Sequence, residues 1–407
     1  MERKKILFVS EDITLAQVVR LVQLAKSLDI SKYEIHFACS DFRDFVFSGT
    51  SFIRWKLDNI EQEQVQKALD ESKPIYSEEI LEEYLQEELK LHEKVKPDII
   101  VGDFRLSLAI SAPLSNIPLI VLINAYWSPF TTSKEIPIPD HPMVNLLGEN
   151  LAQFFFNMAK PAAFSLFAKP VNTIRKKNGL KSIGTLEETL TYGNFTLYPD
   201  IPHLIPTNSL PSSHLFLGPV IWSPEGELDL DPEKVNERPV IYITLGSSGK
   251  ADLLTRIIRV ISGLPVFALV ATAGRVNVDN IPENVYLSKY LPDSKAAAAS
   301  DLVVCNGGST TGYQALNEGV PVLGIASNID QYLAMNYIEK AGAGLLIRAG
   351  MFKEDLFEQK INQILEDPSF KRSALKLQKN FSSYDYKELF NKVIEKAITE
   401  KEVEIKQ

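Results

Sequence analysis

The stretch from Asp301 to Gln331 constrains the fold more than any other. It reads DLVVCNGGSTTGYQALNEGVPVLGIASNIDQ. The run Leu302–Cys305 has the length and β-branching of a buried strand. It ends on Asn306-Gly307-Gly308-Ser309-Thr310-Thr311. The pattern predicts a helix over Tyr313–Glu318, closed by Gly319 and stopped by Pro321. A second apolar run, Val322–Ile325, leads into Ala326–Gln331. The order is strand, glycine turn, helix, strand.

The turn carries chemistry. Gly307 and Gly308 lack a Cβ, so their backbone can approach a bulky anion and adopt positive φ. The helix behind them aims free N–H groups and its positive dipole end at the same spot. Ser309, Thr310 and Thr311 add hydroxyl donors. A diphosphate suits such a place. An ordinary βα turn also uses Gly and Ser, so spacing alone leaves both readings open.

The same alternation opens the chain. Ile6–Ser10 reads as a buried strand, Leu15–Leu28 has helical apolar spacing, and Tyr33–Cys39 alternates as a strand. A β-α-β start implies a parallel sheet in a doubly wound domain, which places ligands at the carboxyl ends of its strands. Further strands are predicted at Ile99–Val101, Leu119–Ile123, Phe195–Tyr198 and Leu215–Leu217. Residues Asp58–Lys96 read as helical with a solvated charged face. Trp222–Pro239 is acidic, Pro-rich and aperiodic, the best domain boundary. Beyond it the plan repeats. Val240–Leu245 is a strand ending in Gly246-Ser247-Ser248-Gly249, a helix spans Asp252–Ile261, and strands follow at Pro265–Ala271 and Val285–Leu287. Two α/β domains result: 1–221 and 239–383, joined by a linker at 222–238. A chain of 407 residues is too long for one ordinary core.

Composition excludes some classes. Net charge is −9, against a general nucleic-acid surface. The two cysteines, Cys39 and Cys305, lie in apolar runs and read as core thiols of a reducing compartment. No Cys/His cluster has metal-ligand spacing, so no metal or other cofactor is expected. No apolar run suits a leader or a membrane span, so a cytoplasmic protein is expected. Leu151–Pro170 is the most apolar helical stretch. Lys160-Pro161 divides it into an expected pair of buried or acceptor-lining helices, with peripheral contact with a lipid surface left open.

The Asp301–Gln331 stretch resembles the nucleotide-sugar signature of the family 1 glycosyltransferases, which include UDP-glucuronosyltransferases and bacterial antibiotic transferases. That signature opens with His-Gly-Gly or His-Cys-Gly, passes through Asn-Ser or Gly-Thr to a Glu, then Gly-Val-Pro, and ends at Asp-Gln. Its counterparts here are Asn306-Gly307-Gly308, Thr310-Thr311, Gln314, Gly319-Val320-Pro321 and Asp330-Gln331. Asn306 stands for the His and Gln314 for the Glu. The resemblance implies the GT-B fold, two Rossmann-like domains facing across a cleft. The nucleotide sugar would bind the C-terminal domain and the acceptor the N-terminal one. The last helix, from Tyr384, would return residues 384–407 to the first domain.

By the same resemblance, Gly246, Ser247 and Ser248 form a second phosphate turn. Asn306, Gly307, Gly308, Ser309, Thr310 and Thr311 form the first. Tyr290-Leu291-Pro292-Asp293 resembles the family's Trp-x-Pro-Gln, with Tyr290 and Leu291 at the base and Gln314 at the ribose. Asp330 and Gln331 would hold the sugar. The family's catalytic His falls on Gln17, which cannot be a base, while its orienting Asp falls on Asp103. Either Asp103 or Asp12 then serves as base, or the acceptor needs no strong base, or the chain binds without turnover. Tyr126, Trp127 and Phe130, in a loop at a sheet's carboxyl edge, would line an apolar acceptor site. A packed arrangement under their own loop is the other reading.

The expected activity is inverting, metal-independent transfer of a sugar from a UDP- or dTDP-sugar to a small, largely apolar acceptor such as a natural product or lipid. A GT-B epimerase or hydrolase is the competing enzyme class. Either a monomer or a homodimer fits.

Overall fold

The computed structural model describes residues 3–61, 63–65, 68, 73–133, 135–138, 142–228, 235, 238–246, 249–278 and 280–406. Ser247, Ser248 and His141 therefore lie outside the described residues. The chain divides into two compact units.

The first unit comprises residues 1–134, 155–220 and 384–407. Its seven strands are β1 (Lys4–Ser10), β2 (Tyr33–Cys39), β3 (Ile53–Lys56), β4 (Ile99–Asp103), β5 (Leu119–Leu122), β6 (Phe195–Tyr198) and β7 (His214–Phe216). They pair in the order β3-β2-β1-β4-β5-β6-β7, each pair parallel. Ile6–Val9 are fully buried, as expected of a strand covered by helices on both faces. The Leu15–Lys26 helix packs Val18, Leu21 and Val22 inward. The closing helix, Tyr386–Lys406, groups with this unit. Asn391 Nδ2 donates to the Ser27 carbonyl at 3.1 Å, and the Phe390 ring lies 6.2 Å from that of Phe8.

The second unit comprises residues 135–154 and 221–383. Its strands are β8 (Val240–Thr244), β9 (Phe267–Ala271), β10 (Val285–Ser288), β11 (Leu302–Cys305), β12 (Val322–Ala326) and β13 (Gly344–Arg348). They form a second parallel sheet, ordered β10-β9-β8-β11-β12-β13. Ile243, Val270 and Val304 pack on one face of it against Ile257 and Phe357.

Two features depart from the sequence expectation. Residues 135–154 group with the second unit, because Arg348 donates to the Ile138 carbonyl at 2.8 Å and to Glu149 Oε1 at 2.7 Å. The Leu151–Pro170 stretch is not a helix pair. It belongs to one helix, Glu149–Lys177, that carries Pro161 and Pro170 inside it. Each proline removes one N–H donor, a local loss that the remaining turns bridge.

Candidate functional site

In the second unit the order of strands reverses at β8 and β11. β8 leads outward through β9 and β10, and β11 leads the other way through β12 and β13. In open parallel sheets a ligand crevice lies beyond the carboxyl ends at that switch point. Both glycine turns stand there. Thr244, the last residue of β8, is in register with Cys305, the last of β11. Gly246 has φ +56 and Gly307 has φ +79, conformations that favour glycine. The two turns are neighbours: a Cβ built on Gly246 would lie 3.5 Å from Asn306 Nδ2.

The β11 turn is held by its own bonds. The Gly308 N–H donates to Asn306 Oδ1 at 3.1 Å, and the Gly307 N–H donates to Cys305 Sγ at 3.3 Å. The helix begins at Ser309, four residues earlier than the periodicity predicts, and runs to Asn317. Gly308 is its N-cap, with φ −69 and no side-chain cap. The Ser-Thr-Thr run is thus the first helical turn. Thr310 and Thr311 are partly exposed at the dipole's positive end.

Of the other residues expected on the donor side, Tyr290 and Asp330 follow the carboxyl ends of β10 and β12, and Gln314 lies inside the Ser309–Asn317 helix. Tyr290 follows β10 and is 47% exposed, enough to offer a ring face. Lys289 Nζ lies 5.4 Å from that ring's centroid. Leu291 beside it is buried. Asp293 receives a hydrogen bond from the Tyr242 hydroxyl, and burial pushes its carboxyl up to about 6. Gln314 is buried and donates its amide to the Trp222 carbonyl. Asp330 sits in the first turn of the Ile329–Lys340 helix. Gln331 is buried, and its Oε1 accepts from the Ser327 N–H at 2.8 Å and the Ser327 hydroxyl at 3.2 Å. That oxygen therefore shapes the β12 loop.

The first unit corrects several expectations. Gln17 is the third residue of its helix, and its Oε1 accepts from the Thr14 N–H at 2.9 Å. It caps the helix, as a Gln at this position does. Asp103 is fully buried and bound through both oxygens by Arg20, at 3.0 Å from Nε and 2.9 Å from Nη2. A buried carboxylate requires such a counter-charge. Arg20 Nη1 donates to Asn124 Oδ1 at 2.7 Å, and Asn124 Nδ2 donates to Asp200 Oδ1 at 2.9 Å. Asp103 is thus part of a buried network with Arg20, Asn124 and Asp200. Asp12 accepts from Arg43 Nη1 at 2.8 Å and from the Ser40 hydroxyl at 3.0 Å. Neither carboxylate stands open as a base. Tyr126 and Trp127 are buried, with Trp127 6.5 Å from the Phe164 ring, and Phe130 packs edge-on to His214 at 5.2 Å. This is the packed arrangement.

Two residues with evident chemistry are absent from the sequence expectations. Arg275, after β9, donates from Nη1 to the Gly246 carbonyl at 3.0 Å and the Gly249 carbonyl at 2.7 Å. It fastens the β8 turn and brings an exposed cation to the switch point. Its signal was faint: one Arg in an irregular loop. Glu11, after β1, is fully buried and accepts from the Tyr84 hydroxyl at 3.1 Å. Burial pushes its carboxyl up to about 7, against the pull of Arg105, 3.6 Å away. Both thiols behave as core groups: burial pushes Cys39 and Cys305 up to about 12. Among the described residues no group of three or more His, Cys, Asp and Glu side chains could hold a metal ion.

Comparison with known proteins follows this geometry. Residues 256–395 match the model of the erythromycin biosynthesis protein CIII-like C-terminal domain. A PGL/p-HBAD biosynthesis glycosyltransferase of Mycobacterium tuberculosis is 40% identical over 385 residues, covering 93% of this chain and 89% of the relative. A PGL/p-HBAD biosynthesis rhamnosyltransferase of Mycobacterium bovis is 40% identical over 381 residues, covering 93% and 84%. An inactive PGL/p-HBAD biosynthesis glycosyltransferase of the same species is 40% identical over 258 residues, covering 62% and 69%. Among solved structures, the spinosyn rhamnosyltransferase SpnG complexed with thymidine diphosphate superposes with a TM-score of 0.71 at 18% identity, covering 96% of this chain and 100% of that one. With a parallel switch-point sheet in each unit and 40% identity to a named glycosyltransferase over 93% of its length, this chain is a GT-B protein and belongs to the family 1 glycosyltransferases.

Proposed function

We propose that this glycosyltransferase takes its sugar from a nucleoside diphosphate and inverts the anomeric carbon without a metal. The observation that carries this reading is the pair of adjacent glycine turns at the β8/β11 switch point. The acceptor oxygen forms its bond to the anomeric carbon as the bond to the diphosphate breaks. The charge that develops on the leaving diphosphate meets backbone N–H groups, a helix dipole and Arg275. Asn306 is neutral where the family has an imidazole. Arg275 supplies a charge in its place.

Gln314 points toward thymidine over uridine. Its amide nitrogen is committed to the Trp222 carbonyl, so one neutral oxygen remains where a carboxylate would accept two ribose hydroxyls. The thymidine diphosphate complex of SpnG agrees with this choice. Asp330, at a helix N-terminus, is the residue to hold sugar hydroxyls.

Gln17, Asp103 and Asp12 are all engaged, so the acceptor is proposed to be apolar and to carry an acidic hydroxyl, phenolic in type. Such a group gives its proton to solvent and attacks as the phenolate, and positioning supplies most of the rate. The test is nucleoside diphosphate release from dTDP- and UDP-sugars, with and without a hydrophobic phenol. Release that needs the phenol is expected, with Asp330→Ala losing transfer and keeping dTDP binding. Release without any acceptor identifies a hydrolase. Nucleotide binding with no release under any condition identifies a non-catalytic relative.

A further inference from the structure

The Glu149–Lys177 helix has two faces. In its first-unit part, Phe164, Ala168, Val171 and Ile174 are buried, and the last two join Leu81 and Leu85 in a core cluster. Positions 155, 158, 162, 166, 169 and 176 recur at helical spacing and share the opposite face. A solvent face is normally polar. Here it opens with Phe155 at 44% exposure, Met158 at 67% and Leu166 at 48%, with exposed Ala162 between them. It continues with Lys169 and Lys176, both exposed. A row of exposed apolar side chains along one helix face marks an interaction surface.

Charge selects the partner. From residue 150 to residue 186 the sequence holds no Asp or Glu and six basic residues, in a chain whose net charge is −9; Lys160 and Lys177 pair with Glu187 and Glu78 and Arg175 is buried, while Lys169 and Lys176 stand exposed on this face. An apolar stripe that runs into basic residues is the pattern of a helix lying in a membrane interface, its apolar side chains among acyl chains and its cations at anionic headgroups. We infer that this helix face docks the protein on an anionic lipid surface. The inference rests on the helix alone and is independent of the donor-site reading. Among the described residues no helix is long and apolar enough to cross a membrane.

The experiment is co-sedimentation of the full chain with vesicles of phosphatidylcholine alone and of an equal mixture with phosphatidylglycerol. Binding to the mixed vesicles is expected, weakening as salt is raised. Each basic charge near an anionic surface is worth roughly a fivefold change in partition, so Lys169→Glu/Lys176→Glu should lose at least about 25-fold. Met158→Asp/Leu166→Asp should likewise lose binding to the mixed vesicles. Both double variants should keep the thermal shift produced by dTDP, which separates a docking defect from misfolding or a lost donor site. The inference is overturned if the parent chain ignores anionic vesicles, or if both double variants partition as the parent does. It also falls if Met158→Asp/Leu166→Asp dissociates a dimer in ultracentrifugation while vesicle binding is absent.

Discussion

Substituting each glycine of the β11 turn by alanine separates a structural turn from a phosphate cradle. Gly307 has φ +79, and a Cβ there would meet Met335 Cγ at 2.9 Å and Ala326 Cβ at 3.4 Å. The left-handed backbone costs about 1–2 kcal/mol for alanine. Overpacking against Met335 adds about 1–3 kcal/mol. Gly307→Ala should therefore lose roughly 2–5 kcal/mol of stability whatever the turn is for. Gly308 is different. Its φ is −69, and the only neighbours of a new Cβ are the Oδ1 of Asn306, at 3.2 Å, and its Cγ, at 4.0 Å. Alanine as N-cap costs about 0.5–1 kcal/mol. A phosphate seated on this turn would meet the new methyl group and give up one charge-assisted bond, about 1.5–3 kcal/mol. Gly308→Ala should thus melt close to the parent yet bind dTDP roughly 10- to 100-fold more weakly, with thymidine affinity little changed. Calorimetric titration of dTDP and thymidine against both proteins gives the ratio directly. An unchanged dTDP-to-thymidine ratio in Gly308→Ala would refute the cradle.

Three further substitutions probe other parts of the chain. Arg275→Met should weaken diphosphate binding by about tenfold or more and leave the nucleoside alone, with partial rescue by lysine; equal losses for both ligands in titration would reassign Arg275 to loop support only. Glu11 has its folded carboxyl raised from 4.5 to about 7, so the folded state holds a proton that the unfolded chain has lost between those values. Its contribution is complete below pH 4.5 and gone above about 7, a decline of roughly 3 kcal/mol at most. Glu11→Gln should flatten denaturant-derived stability between those limits, and parallel curves for parent and variant would contradict it. Gln17→His should keep or raise the initial transfer rate while losing about 1 kcal/mol of stability with the cap; a large fall in rate would show that Gln17 itself contacts acceptor.

Strands and the glycine turns were legible in the sequence because buried parallel strands are short apolar runs and glycine turns punctuate them. β8, β11 and β12 fall where the apolar runs stand, within a residue or two at each end. The engagement of the residues expected on the acceptor side was not legible. Asp103 reads as a lone carboxylate along the chain, and its partner Arg20 is 83 positions away. Gln17 occupies the position of a base but serves its own helix through a bond three residues back. Pro161 reads as a helix break, yet tertiary packing of Val171 and Ile174 holds one continuous helix. The Ser-Thr-Thr run lacks apolar periodicity, which hid a first helical turn that the dipole argument had required.

Where the diphosphate sits is the most direct question, and a crystal grown with thymidine diphosphate answers it. The phosphates should lie against Gly307, Gly308 and Gly246, with the guanidinium of Arg275 within bonding reach. Density for the nucleotide at any other place, with both turns empty, would contradict the whole account of how this enzyme lets its leaving group go.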